Sequence, residues 1–327
     1  MTRESFVNLA LLTALVAVPL WAWVAGEPFT ITLATRAVIF ALAAVGLNLA
    51  LGLGGMVSFG HAVFFGLGGY SMGILAHHAQ NFLPLYDGLI VIEGTKSMPV
   101  IWLVAIVVSA LAALLIGLLS LRTSGVYFIM ITLAFGQMFY YFAISWRAYG
   151  GEDGLSIWVR NDFPGLNTLA PIQFYGLCFA LLLAALWLSA RIARSSFGLV
   201  LNAARQVPGR VETVGLDGQR AKLVAFVISG AITGLAGALF ADLNRFVSPT
   251  MFSWHMSGEL IVFIILGGAA RLFGPVAGAV LFVAMEHVLG DLWDHWHILL
   301  GALLLVIVLF ARGGLIGLLA GKARNHD

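Results

Sequence analysis

GLNLALGLGGMVSFGHAVFFGLGGYSMGILA, residues 46–76, is an apolar run broken twice by glycine clusters. Gly52, Gly54 and Gly55 sit together. Ser58, Gly60 and His61 then restart a second apolar segment in which Gly66, Gly68 and Gly69 recur. A plain membrane anchor has no use for this pattern. Glycines permit close helix approach or an unwound backbone, and lipid tolerates unwound backbone only where it is buried in protein or lines a cavity. The stretch therefore reads as the inside of a membrane-embedded pathway.

The composition agrees. Of the 327 residues 61% are hydrophobic and 10% charged, with a mean hydropathy of +1.00. A soluble globular domain has an apolar share of about 45–50%, so that class is excluded and the chain reads as a polytopic, all-α membrane protein. Cys178 is the single cysteine, so no intramolecular disulfide is available. Arg3 followed by an apolar stretch up to Ala25-Gly26 resembles a signal peptide, but its length suits a retained first crossing.

Taking about twenty apolar residues per crossing, the sequence predicts ten transmembrane helices. They lie near 6–25, 31–52, 56–78, 98–120, 125–145, 171–190, 222–245, 257–269, 275–290 and 297–311, several of them glycine-broken. The eighth is too short to span unless tilted or interrupted. With the N-terminus cytoplasmic, the inner side receives Arg3, Arg122, Arg191, Arg194, Arg205, Arg210, Arg220, Lys222, Arg271, Arg312, Lys322 and Arg324. The outer side receives Lys96, Arg147, Arg160 and Arg245. Such a positive-inside bias places both termini in the cytoplasm. Arg36 falls near the outer end of the second helix, where its long side chain is expected to snorkel to the headgroups. Glu259, Glu286 and His287 are expected to be solvated or to sit at helix ends.

Polar groups inside apolar helices mark candidate pathway positions, because lipid cannot satisfy them. They are Asn48, Ser58, His61, Thr132 and Gln137. For Gln137 an interhelical hydrogen bond is the alternative. Helix-break glycines are Gly54 and Gly55, with a faint echo at Gly267 and Gly268, where interrupted helices at related positions would flank a substrate path. Gly230, Gly234 and Gly237 give a smooth face for close helix packing. No metal site is expected. His77-His78 reads as a solvated pair, and the turn with Asp291, Asp294, His295 and His297 carries Trp293 and Trp296, which suit an interfacial belt.

Leu47-Asn48-Leu49, Gly54-Gly55 and Ser58-Phe59-Gly60-His61-Ala62 with Gly66 resemble the N-terminal signature of LivM-type permeases, the membrane subunits of ABC importers for branched-chain amino acids and related solutes. Later blocks follow in the same order. They are Gly125-Val126-Tyr127-Phe128, Ile131 to Gln137, Gly150 to Leu155, Ala225 to Gly230, Gly234 to Leu239 and Glu259 to Val280.

The basic loop at about 191–222 admits two readings from its residues alone. It could hold topology and bind anionic headgroups, or carry a short helix near 209–214, opened by Pro208 and stopped by Gly215, that docks on a partner. The resemblance implies the second, a coupling helix with Arg205, Glu212, Gly215 and Lys222 as its ATPase-coupling residues. The sequence departs from the family at Arg210-Val211, where an Ala-Ala pair is usual. No Gly-x-x-x-x-Gly-Lys-Ser/Thr phosphate loop occurs in the chain.

The resemblance thus implies one transmembrane permease domain over residues 1–327, not itself an enzyme, in a bacterial inner (plasma) membrane. It would carry no cofactor, with ATP and Mg on a partner ATPase. Its partners would be a second homologous permease, two ATP-binding cassette subunits, an extracytoplasmic solute-binding protein and membrane lipid, with no nucleic acid. The solute is a branched-chain amino acid or a related small organic molecule. Alternatives are a urea or short-amide importer, or a self-contained ion-coupled carrier, which would need charged groups at mid-membrane.

Overall fold

The computed structural model describes residues 3–82, 84–86, 92–207, 211, 213, 215–269, 271–292, 298–302, 304–305, 314 and 316–317. Among them the fold is helical, with ten α-helices and two short β-ribbons. Helix α1 spans Arg3–Ala25 and α2 Pro28–Asn48, continued by a π turn over Leu49–Leu53. Next come α3 (His61–Asn81), the ribbon of β1 (Pro84–Tyr86) and β2 (Ile92–Glu93), α4 (Met98–Ser120) and α5 (Val126–Ser145). Strand β3 (Leu155–Ser156) pairs antiparallel with β4 (Phe246–Val247). Between them lie α6 (Pro171–Ala193), α7 (Ser196–Gln206) and α8 (Gly218–Asn244). Helices α9 (Trp254–Gly267) and α10 (Gly274–Leu292) complete the described elements.

Local chemistry sets many of these ends. Proline opens α2, α4 and α6, where its missing N–H costs nothing. Ser195, Asp217 and Ser253 accept backbone N–H groups at the starts of α7, α8 and α9. Phe82 and Arg245, both left-handed, terminate α3 and α8.

Six helices are long and apolar enough to cross a membrane: α1, α2 with its π turn, α4, α5, α6 and α8. The protein is a multi-pass membrane protein. Helix α3 has the length but is diluted by glycine, and α9 and α10 are shorter. The expected tenth crossing at 297–311 falls largely outside the described residues. Leu103, Leu111 and Leu115 of α4 are exposed, as a lipid-facing surface requires.

Helix α8 is the hub, packing on α2, α3 and α4. Its glycine face explains how. A side chain at Gly237 would run into the Phe65 carbonyl of α3, one at Gly234 into Ser109 of α4, and one at Gly230 into Ala113 of α4. From the other side, a side chain at Gly68 would meet the Gly234 carbonyl. The remaining α3 glycines, Gly66, Gly69 and Gly73, form a second face against Phe252, Met251 and Val247.

Contacts between loops sort into two ends. The basic end joins Asn48 to Arg271, Arg205 to Gly52, and Arg271 to Glu4. The opposite end joins Gln80 to Trp158 and Val159, and Arg160 to Leu243. Every pair unites residues that the charge pattern assigns to one side.

Two expectations change. The third crossing does not start at residue 56, because residues 54–60 run without helix up to His61. Arg36 has a protein partner that its sequence position does not reveal. Its Nη2 lies 2.9 Å from Glu286 Oε1 of α10, a carboxylate within reach in an apolar layer. Glu286 is accordingly paired, not solvated.

Candidate functional site

Two stretches interrupt helix inside the apolar layer. The first, residues 54–60, follows the π turn. Gly54 is the last residue of the helical path, and Gly55 turns it at φ +68°. The chain then runs without regular structure until Phe59 N donates to Thr132 Oγ1 at 3.3 Å. Thr132 sits six residues into α5, roughly 9 Å along its axis, so α3 begins well inside the layer. Ser58 Oγ accepts Gly60 N–H at 3.2 Å, and Thr132 Oγ1 donates to Ile129 O at 3.0 Å. Both side chains are buried.

The second stretch enters from the other end. After α8, Phe246 to Ser253 pass inward as β4 and a 3-10 turn over Pro249–Phe252, lying along the Gly66, Gly69 and Gly73 face of α3. Helix α9 then starts at Trp254 and runs for 14 residues, roughly 21 Å, too short to span alone.

The first break meets the helix that follows the second at Ser257 of α9. Its Oγ donates to Phe59 O at 2.7 Å and accepts Ala62 N–H at 2.8 Å, so one hydroxyl satisfies backbone groups that the first break leaves without helical partners. His61 fastens α3 to two more helices. Ser229 Oγ has one proton and donates it to Gly46 O at 2.7 Å. The 2.7 Å contact from His61 Nε2 to Ser229 Oγ is therefore donated by the imidazole. The ring packs edge-on against Phe64 and Phe226, and its Nδ1 is buried without a partner.

Four of the five expected pathway residues thus lie around one end of this junction. Asn48 Nδ2 donates to Arg271 O at 3.3 Å, tying the end of α2 to the turn between α9 and α10. Ser58, His61 and Thr132 surround the first break. Gln137 stands apart, half-buried on α5, with no hydrogen-bond partner among the described residues. Gly267 and Gly268 close α9, with Gly268 at φ +116°, and a side chain at Gly267 would strike Gly274 of α10.

Of the expected coupling residues, Arg205 ends α7 and donates through Nη1 to Gly52 O, its stem covering Gly55. The basic loop is thereby bonded to the π turn above the first break. Gly215 turns at φ +80°, and Lys222 lies one turn into α8. Glu212 lies outside the described residues, as does most of the expected helix at 209–214. A cavity of about 350 Å³ opens between this loop, the first break and the α4–α5 turn.

The second break has a different support, which the sequence reading missed. The Arg160 guanidinium donates to Thr168 O at 2.9 Å and to Leu243 O and Asp242 O at 3.2 and 3.4 Å, capping α8, and stacks 4.4 Å from the Phe174 ring. Burial pushes this guanidinium below its ordinary value, with Asp242 opposing and Arg245 reinforcing the shift. Asp242 Oδ1 accepts Asn161 N–H and Asn161 Nδ2 at 3.2 and 3.0 Å. One signal was available, since Asp242 is the only carboxylate in the α8 run.

Residues 29–309 match the family described as branched-chain amino acid transport system / permease component. The chain is 29% identical to the high-affinity branched-chain amino acid transport system permease protein LivM of Escherichia coli strain K12, over 88% of this chain and 70% of that protein. LivM of Salmonella typhimurium strain LT2 is 28% identical, over 94% of this chain and 75% of its own length. A probable branched-chain amino acid transport permease protein LivH of Methanocaldococcus jannaschii is 26% identical over 58% of this chain and 61% of its own. No solved structure matches.

Proposed function

The chain belongs to the family of permease components of branched-chain amino acid transport systems, and we propose that it moves a branched-chain amino acid, or a closely related small zwitterion, inward by ATP-driven alternating access in a bacterial inner membrane. The single observation that carries this mechanism is the junction at Ser257, where the short helix that follows the second non-helical stretch is bonded to the first stretch and to the start of α3. Interrupted helices of this kind are where transporters place their solute path.

In this reading the energy comes from elsewhere. Two ATP-binding cassette subunits hydrolyse ATP with Mg, a second related permease completes the path, and an extracytoplasmic binding protein delivers the solute. The loop at 191–222 receives the ATPase movement. Arg205 passes it to the π turn and Lys222 to α8, with Glu212 and Gly215 shaping the docking element. Asn48, Ser58, His61 and Thr132 then respond at the first break, and Gln137 faces the path from α5.

The test is purification of the tagged protein in mild detergent from its host, followed by reconstitution with the chains that come with it. Recovery of an ATPase and a second permease, with ATP-dependent uptake of leucine, isoleucine or valine, is expected. Urea or a short amide carried instead would move the substrate within the same mechanism.

One observation favours a second reading. The Arg36–Glu286 pair lies inside the helices, with Glu259 of α9 close enough to interact electrostatically, and an ion-coupled carrier needs charges at such depth. A single purified species that takes up solute along an ion gradient without ATP would establish that reading over the importer.

A further inference from the structure

The cavity at the basic end joins three features that lie far apart in the chain: the non-helical backbone Gly54 to Val57, the α4–α5 turn with Arg122, and Lys222 at the start of α8. Its volume of about 350 Å³ falls at the lower end of the roughly 300–1,000 Å³ typical of small-molecule sites. Unwound backbone within a membrane layer is tolerated where it lines a wet space, and this hollow is that space for the first break.

Its walls are divided chemically. Met56 and Phe128 are buried and apolar, whereas Thr123 and Ser124 offer hydroxyls and Arg122 and Lys222 offer cations. Among the described residues, neither cation has a carboxylate within ion-pair distance. Thr123 Oγ1 donates its proton to Ser120 O at 2.8 Å, so the side-chain donors left for a ligand are the two cations, Ser124 and the Gln219 amide.

We propose that this hollow is a release site for the transported solute, in which Lys222 and Arg122 hold its carboxylate and the Met56–Phe128 wall takes its aliphatic side chain. The proposal rests on the importer reading and adds to it a position and a chemistry. It also places the solute against the coupling loop, because Ala204 of α7 and Lys222 both line the hollow. An edge-on series of rings, Phe128 to Phe226 to His61, runs from the hollow to the start of α3. Solute held there and movement of the loop therefore act on the same walls, so solute on the inner side slows the cycle.

The experiment uses the complete complex in proteoliposomes, with ATP-driven leucine uptake measured against increasing leucine preloaded on the side of the ATPase. For each protein the readout is the internal concentration that halves its own initial rate. Internal leucine is expected to inhibit the wild type, and leucinamide, which lacks the carboxylate, to inhibit at least tenfold more weakly. The double variant R122Q/K222Q should need at least tenfold more leucine, R122K/K222R should stay near wild type, and Arg220→Gln, whose side chain pairs with Asp217 outside the hollow, should match wild type.

Equal inhibition by leucinamide, or an unchanged half-point in the double variant, overturns the release site while leaving the importer standing. Inorganic phosphate inhibiting as well as leucine also overturns it, marking a general anion or headgroup site. If the double variant does not assemble, the leucine and leucinamide comparison on the wild type decides. A wild-type complex with no ATP-driven uptake of any branched-chain amino acid, urea or short amide overturns the importer reading itself.

Discussion

The stretches 54–60 and 246–253 both interrupt helix within the membrane layer, but they are held in different ways. The outer one is pinned along its length. It pairs with β3, lies in the glycine face of α3, and follows a helix end capped by two hydrogen bonds from Arg160. The inner one is tied back to the π turn through Gly55 N–H to Leu51 O and Met56 N–H to Ala50 O, and across to other elements by a 3.3 Å bond to Thr132, the Ser257 hydroxyl, and Arg205 reaching Gly52. It also borders a cavity and the coupling loop. The lesson is mechanical. A segment with few bonds to other elements, exposed residues at Gly55 and Val57 and an open space beside it is the one that local free energy allows to move, so the inner break is the moving part and the outer break the frame.

The comparison can be broken outright by removing the wall both stretches share. Gly68→Val drives a side chain into the Gly234 carbonyl of α8, where backbone cannot yield. A loss on the order of 4 kcal/mol or failure to fold is expected, measured as monodisperse protein extracted in detergent.

Arg160→Ala attacks the frame. Loss of charge-assisted bonds to three carbonyls should cost about 3 kcal/mol, seen as a lower thermal midpoint in detergent, while solute moved per ATP in surviving complexes stays constant. Ser257→Ala cuts the link between the inner break and α9. It strands Ala62 N–H and Phe59 O and should cost about 2 kcal/mol, with faster amide exchange at Phe59 to Ala62 and little change at Phe246 to Phe252.

Arg205→Ala makes the sharpest contrast with Arg160→Ala. The side chain is largely exposed, so the expected stability change is below about 1 kcal/mol, yet transport per ATP should fall tenfold or more. Equal effects of the two variants on coupling would remove the distinction between frame and moving part.

Much of this architecture could be read from the chain. Residues 98–120 are predicted and observed as one helix, because a long apolar run bounded by Pro99 and a polar turn leaves little choice. The polar residues of the inner break were legible for a related reason: Asn48, Ser58, His61 and Thr132 have no business in lipid. The outer break was not. Phe246 to Ser253 mixes apolar and hydroxyl residues, contains Pro249 and lacks helical periodicity, so nothing distinguishes a dip into the membrane from a surface loop. Ser229 and Ser257 were passed over because single hydroxyls are common in apolar helices. The Arg36–Glu286 pair joins residues 250 positions apart, and local pattern carries no information about such a partner.

The most direct test of the account is cysteine accessibility during the transport cycle. With buried Cys178 replaced by alanine, single cysteines at Val57 and Phe246 would be labelled by a membrane-impermeant maleimide from each side of reconstituted complexes, with and without ATP and solute-loaded binding protein. The account predicts that Val57→Cys is labelled only from the ATPase side, at a rate that changes severalfold with nucleotide. Phe246→Cys should be labelled only from the opposite side, at a steady rate. A nucleotide-dependent rate at Phe246 with a constant one at Val57 would contradict it.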